Sequence, residues 1–258
     1  MVYDNRNDTS GKIKFKPAFL ILCILIYPLS SRSQSMKTSL GYNGLNIVPS
    51  AETADDGTLT VGYSRIPRSY GLQSYPARKS VFYMALAAAP FFEASFAFVI
   101  HDHLTDRSPH AGDRTVSAKL RLLREKKYSP SIGLGAHDFF GITQLGIRKV
   151  TTPPPQNYAA LYAVASKSFA SPWKQKGRIH IGYGTDWLPA EQHFMVGIFA
   201  GIELTVIKEI SLMAEYDAQY FNIGARLNLF SHLQTFITCM NGRELSGGLS
   251  FCWNLRNY

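Results

Sequence analysis

The chain predicts an all-β fold: an antiparallel transmembrane β-barrel of about twelve strands, preceded by a cleaved signal peptide. Three observations predict it. Apolar and polar residues alternate with period two from about residue 58 onward, the N-terminus has the order of an export signal, and the closing segment ends in a spaced aromatic pattern. Alternation marks a strand with one apolar and one polar face. A soluble β-sandwich shows the same alternation with its apolar face turned to a core, whereas a membrane barrel turns that face to lipid and lines its lumen with the polar one. The export signal, the closing segment and the loop lengths therefore carry the choice between them.

The export signal comes first. Lys12, Lys14 and Lys16 precede the nine apolar residues Ala18–Ile26, and Pro28 and a Ser-rich stretch to about Ser35 follow. A basic region, a short apolar core and small exit residues make a secretory signal peptide. The expected division is a signal peptide at 1–35, a turn-rich leading segment at 36–57 and an outer-membrane β-barrel at 58–258. Leu22 is large and Cys23 lies inside the apolar core, which argues against a lipid anchor there. Beyond this region no apolar run approaches the ~18 residues of a transmembrane helix. Barrels evade that test, because half of each strand faces a polar lumen.

The formal net charge is +9; residues 1–34 hold five Lys/Arg against Asp4 and Asp8, a net of +3, which leaves +6 for the rest. The basic residues are scattered between strands. Nucleic acid is not an expected partner of such an exported chain, and an anionic glycan or lipopolysaccharide fits better. Aromatics at 13% and 20 glycines suit girdles and tight strand packing, and a sandwich would permit them equally.

Dense β-formers punctuated by Gly, Pro, Asn or Asp predict strands near 58–66, 78–89, 92–102, 114–123, 130–139, 157–169, 177–186, 194–204, 210–217, 219–228, 232–240 and 244–255. Their lengths suit tilted strands that cross a bilayer in ~9–11 residues. Val116, Ala118, Leu120 and Leu122 oppose Ser117, Lys119 and Arg121; Phe221, Ile223, Ala225 and Leu227 oppose Asn222, Gly224, Arg226 and Asn228. Connections 67–77, 103–113 and 140–156 are long, and those near Pro90, 124–129, 170–176, 205–209 and 229–231 are short. Long outside and short inside is the habit of barrels. The later outward turns at 217–219 and 241–243 break the asymmetry. Residues 36–57 fit no strand and read either as a plug in the lumen mouth or as an exported linker.

The last strand, Glu244–Leu255, puts Leu245, Leu249, Phe251, Trp253 and Leu255 on one parity. Ser246, Gly248, Phe251 and Trp253 fit the polar-x-Gly-x-x-apolar-x-aromatic ending that barrels present to their assembly machinery. On the opposite parity of the strands stand Glu93, Lys119, Arg121, His137, Arg178, His180, Glu203, Glu215, Asp217 and Arg226. Mixed signs on one inner wall predict a packed ionic network rather than an open pore, since buried charges need partners or water.

No catalytic set, cofactor or metal site is expected. Glu215 and Asp217 share a face about 6.6 Å apart from a ~3.3 Å rise per residue, a spacing glycosidases use, but same-strand carboxylates on a wall are more often balanced by bases opposite, here Arg226 or Arg121. His137-Asp138 lacks a serine elbow such as G-x-S-x-G, and Asp138 is expected to bond local backbone N–H groups in a turn. His101-Asp102-His103 is isolated. A hairpin at Asn241–Arg243 pairs Cys239 with Leu245, too far along the ladder for Cys252 to reach within the ~7 Å that bridged Cα atoms need.

Gly41–Ser50 (GYNGLNIVPS) and Asp56–Ser64 (DGTLTVGYS) resemble the opening of the YjbH-type exopolysaccharide-biosynthesis outer-membrane proteins. Asp113–Glu125, Tyr128–Gly141, Tyr162–Phe169, Leu212–Asp217 and Glu244–Phe251 continue the resemblance in order along the chain. The family's longer members carry a further region after this part, and the stretch 142–156 with Pro153-Pro-Pro155 departs from a compact loop. The resemblance implies an outer-membrane protein connected with extracellular polysaccharide. Joined to the lack of a catalytic set, the expectation is a non-enzymatic barrel in the outer membrane of a Gram-negative bacterium that supports biosynthesis or secretion of an extracellular polysaccharide. Its expected partners are outer-membrane lipid, the barrel-assembly machinery, and polysaccharide or export-system proteins. A lipid A-modifying barrel enzyme or a small porin-like envelope protein is the alternative. Arg65, Arg68, Tyr70, Tyr75, Arg78 and Lys79 cluster about the first long loop as a candidate glycan-facing surface, because tyrosine rings stack on sugars and Arg or Lys pair with acidic ones.

Overall fold

The computed structural model describes residues 37–71, 76–102, 112–140, 158–170, 175–190, 192–229 and 232–256. The expected signal peptide lies outside the described residues. Twelve long strands make the wall: β1 (Thr58–Ile66), β2 (Lys79–Ala89), β3 (Phe92–His101), β4 (Gly112–Leu123), β5 (Ser131–His137), β6 (Tyr158–Ala170), β7 (Lys176–Thr185), β9 (Gly197–Ile207), β10 (Ile210–Tyr216), β11 (Phe221–Leu229), β12 (Leu233–Met240) and β13 (Glu244–Asn254). A two-residue strand, β8 (Gln192–His193), stands apart from them.

All wall pairings are antiparallel between neighbours. The sheet closes because β1 pairs with β13, Thr58 opposite Asn254 and Arg65 opposite Gly247, while β5 pairs with β6. Closure removes the free edges that a membrane would leave unsatisfied. β7 pairs directly with β9, because β8 runs parallel to the start of β6 with Gln192 opposite Tyr158. β9 begins at Gly197, later than the 194 expected. The chain turns through positive φ at Met195 (55°) and Gly197 (101°), which drops Phe194 and Met195 into the barrel mouth instead of extending the strand. β5 stops at His137 because Asp138, at φ 47°, takes the chain out of the extended region.

Burial is inverted relative to a sandwich. Leu212 is 50% exposed and Leu249 51%, whereas Glu93 and Arg226 are each 1% exposed. The exposed apolar side chains Val61, Phe82, Met84, Leu120, Ile181 and Ile223 share the outward parity. A continuous apolar exterior of this kind is what lipid covers. The buried apolar residues come mainly from the leading segment and from wall aromatics that face it, such as Tyr83, Tyr162 and Phe199.

The Asn241–Gly242 hairpin has positive φ at both residues (51° and 63°), which the primed turn requires. It sets the expected register, Cys239 opposite Leu245, while Cys252 lies opposite Thr60; both thiols are free. One end of the barrel carries the short connections 90–91, 124–130, 171–175, 208–209 and 230–232. The other carries 67–78, 102–111, 138–157 and 186–196, with the short turns 217–220 and 241–243.

Candidate functional site

The lumen is occupied by residues 37–57, whose side chains are nearly all buried up to Ala51. Two isolated bridges, Lys37 with Asn43 and Gly44 with Pro49, fold this stretch on itself. Leu45 N donates to Val48 O and Ser39 N to Asn46 O, each at 2.8 Å. Gly44 is required here: an added Cβ would sit 2.3 Å from Val48 O. A strand-free segment leaves many backbone groups to satisfy, and the barrel wall supplies their partners.

Glu215, inward on β10, accepts from three successive backbone N–H groups, Asn46 (3.1 Å), Ile47 (3.0 Å) and Val48 (3.0 Å). Asn222 Nδ2 on the next strand donates to the same carboxylate at 3.1 Å. Arg226 does the converse, donating to the Gly44 and Leu45 carbonyls at 3.1 and 3.0 Å and pairing with Glu203 at 3.2 Å. On the opposite wall Glu93 pairs with Lys37 Nζ at 2.9 Å and accepts from Asn43 N and Ala54 N. Lys119 Nζ donates to Asn43 O at 3.1 Å. Ser166 Oγ accepts from Ala51 N at 2.8 Å while it bonds His180 Nδ1 at 2.8 Å. Towards the short-turn end Arg121 pairs with Glu52 at 2.8 Å, and Arg178 Nε donates to Ser168 Oγ at 3.3 Å.

A second, aromatic layer closes the long-loop end. Phe194 stacks on Tyr158 with centroids 4.4 Å apart and meets Tyr70 edge-on at 6.0 Å. Lys79 Nζ sits 3.6 Å over the Tyr158 ring, the arrangement of a cation–π contact. Tyr70 OH donates to Asp217 Oδ2 and accepts from Asn222 Nδ2. Burial first, and then the Asp217 charge, push the Tyr70 phenol far above its ordinary pKa, so it stays a donor. The Tyr42 hydroxyl of the leading segment bonds Met195 Sδ at 3.7 Å, and burial likewise raises its phenol. The two layers are therefore in contact.

The ten inward-parity residues do not stand as one isolated network. Glu93, Lys119, Glu203, Glu215 and Arg226 surround the leading segment; Arg121 and Arg178 lie near the short-turn end; Asp217 holds the 217–220 turn and Tyr70; His137 and His180 bond the hydroxyls of Ser117 and Ser166, each at 2.8 Å. The Ser–His pairs and the aromatic layer escape sequence reading, because their members are remote in the chain. Asp138 accepts from Tyr158 N at 3.0 Å, a bond across to β6 that the sequence does not announce. The first-loop cluster also separates. Arg65, Arg68 and Arg78 are exposed, but Tyr70 and Lys79 are buried in the mouth, since the 3₁₀ turn Arg68–Tyr70 tucks the phenol inward and Lys79 has inward parity on β2. Tyr75 lies outside the described residues. In β13 Ser246 is buried and bonds Arg65 O, Gly248 faces the Phe236 ring, and Phe251 and Trp253 lie on the apolar exterior. No group of three or more His, Cys, Asp or Glu side chains placed for a metal occurs among the described residues.

This filled barrel extends over the stretch that a known family model matches. The model described as "Exopolysaccharide biosynthesis protein YbjH" (YjbH) covers residues 36–258. The chain belongs to the YjbH family. The match takes in the leading segment as well as the wall, so the family is defined over both. No curated protein matches the chain. Among solved structures, the COG4313 outer membrane channel from Pseudomonas putida F1 is similar at 12% identity and a TM-score of 0.38, covering 78% of this chain and 97% of that one.

Proposed function

We propose that this YjbH-family protein is a non-enzymatic outer-membrane barrel of a Gram-negative bacterium that supports biosynthesis or secretion of an extracellular polysaccharide. Export through the 1–35 signal and insertion by the assembly machinery, with Ser246, Gly248, Phe251 and Trp253 as its recognition pattern, belong to this reading. One observation supports the non-enzymatic part: the inward carboxylates are committed to protein partners. Glu215 is engaged by three backbone N–H groups and Asn222, Glu93 by Lys37, Asn43 and Ala54, and Glu203 by Arg226. A general acid or base must reach the proton it transfers, and these carboxylate oxygens are already occupied by N–H and ammonium or guanidinium donors of the chain itself. The family supports the polysaccharide link.

In this reading Arg65, Arg68 and Arg78 remain on the outward face as glycan- or partner-facing groups. Deleting the gene and weighing secreted polysaccharide tests it. The expected result is a loss restored by the wild-type gene. Unchanged polysaccharide with altered outer-membrane permeability or lipid A would contradict it and favour a general envelope barrel.

A further inference from the structure

The basic residues that look scattered in sequence are gathered by the strand order. The turn 124–130, the head of β7 and the turn 208–209 follow one another round the short-turn rim, because β4, β5, β6, β7, β9 and β10 are successive neighbours in the wall. Arg124, Lys126 and Lys127 on the first turn, Lys176 at the head of β7 and Lys208 in the last are all exposed. Glu209 is the exposed acid among them. Elsewhere on this rim, outside the sector, Pro90 and Phe91 carry no charge, Asp55 is exposed and Asp56 is paired with Arg256.

The turn 124–130 is also built to present one sign of charge. Its single carboxylate is turned back onto β6: Glu125 accepts from Ser168 N and Ser168 Oγ, each at 2.9 Å, and pairs with Lys167 Nζ at 3.2 Å. Lys167 Nζ also donates to the carbonyls of Lys126, Lys127 and Ser129, and Lys126 N donates to Ser129 O at 3.1 Å. The turn is thereby fixed on the barrel with its acid consumed. Tyr128 projects from it, 87% exposed, with Lys127 Nζ 5.0 Å from its ring centroid.

We propose that this sector of the rim is a binding site for a polyanionic saccharide. Arg124, Lys126 and Lys127 pair with its carboxylates or phosphates, and the free face of the Tyr128 ring stacks on a sugar ring. The fixed turn lowers the ordering cost that a flexible basic loop would bring to binding. By its short connections this end faces the periplasm, so the site meets the polymer on the cell side of the outer membrane. The inference rests on the polysaccharide reading above and adds to the outward Arg65, Arg68 and Arg78 a separate contact with the glycan on the cell side.

The test uses the mature protein in nanodiscs of zwitterionic lipid, titrated calorimetrically with alginate oligosaccharides and with dextran of equal length. Alginate is expected to bind with an affinity that falls as salt rises, and dextran is not. The double variant Lys126→Glu/Lys127→Glu should lose at least about tenfold in affinity, a change of about 1.4 kcal/mol. Tyr128→Ala should lose severalfold and leave the salt dependence unchanged. An unaltered difference in mobility between heated and unheated samples confirms that each variant is folded. Equal alginate binding by the double variant overturns the proposal. So does a defect confined to phosphatidylglycerol vesicles, which assigns the patch to lipid headgroups. A gene deletion that abolishes polysaccharide while the wild-type protein ignores alginate overturns this site and leaves the polysaccharide reading standing.

Discussion

Glu215 accepts from three consecutive N–H groups of a segment more than 160 positions away in sequence. Removing it strands buried donors, and each costs about 1–3 kcal/mol when left unpaired. Glu215→Ala is therefore expected to lower the denaturation midpoint of the folded barrel, while Glu215→Gln, which keeps one carbonyl oxygen, loses less. Heat-dependent mobility on denaturing gels measures both. Equal midpoints for Ala and wild type would mean that the clamp contributes nothing. Leu120 tests the other face. It is outward on β4 and exposed, and Leu120→Arg should cost about 2–4 kcal/mol near mid-bilayer. Refolding equilibria in lipid vesicles measure the change, and a neutral outcome would place Leu120 in water.

At the scale of elements, the leading segment and the 124–130 turn are each held by a carboxylate. Burial raises the Glu125 carboxyl, but hydrogen bonds from Ser168 and the Lys167 ammonium outweigh it and hold the group below its ordinary value. The sign follows: a depressed folded pKa contributes stability above the unfolded carboxylate value, and that contribution is lost as pH falls through the folded one. Carbon-13 NMR should place the Glu125 midpoint below the ordinary 4.5, and Ser168→Ala should move it upward. A midpoint at or above the ordinary value contradicts the clamp. Such elements were only partly legible in the sequence. Parity alone shows that Glu93, Lys119, Glu215 and Arg226 face inward. It does not show that they would grip residues 43–54, because those bonds run from side chain to backbone and leave no pattern in residue type. The start of β9 departs from the expected 194 for a related reason. Phe194 and Met195 have the character of strand formers, but in the mouth Phe194 packs on the Tyr158 and Tyr70 rings and Met195 Sδ meets the Tyr42 hydroxyl, all remote in sequence.

At the scale of the whole molecule, the barrel was legible because closure and lipid impose one rule on every strand. Leu212 and Ile223 must face out and Met213 and Asn222 in, whichever neighbours they pair with. What the alternation leaves open is the content of the lumen. Among the described residues, wall charges pair with Lys37 and Glu52 of the leading segment, with one another, or with the segment's backbone, and Tyr70, Phe194 and Met195 are buried in the long-loop mouth, so the lumen is filled. Planar-bilayer recording on the purified mature chain tests this most directly. The filled lumen predicts small or undetectable current for the intact chain and large, stable steps once residues 37–57 are deleted. Large single-channel steps from the intact chain would contradict it.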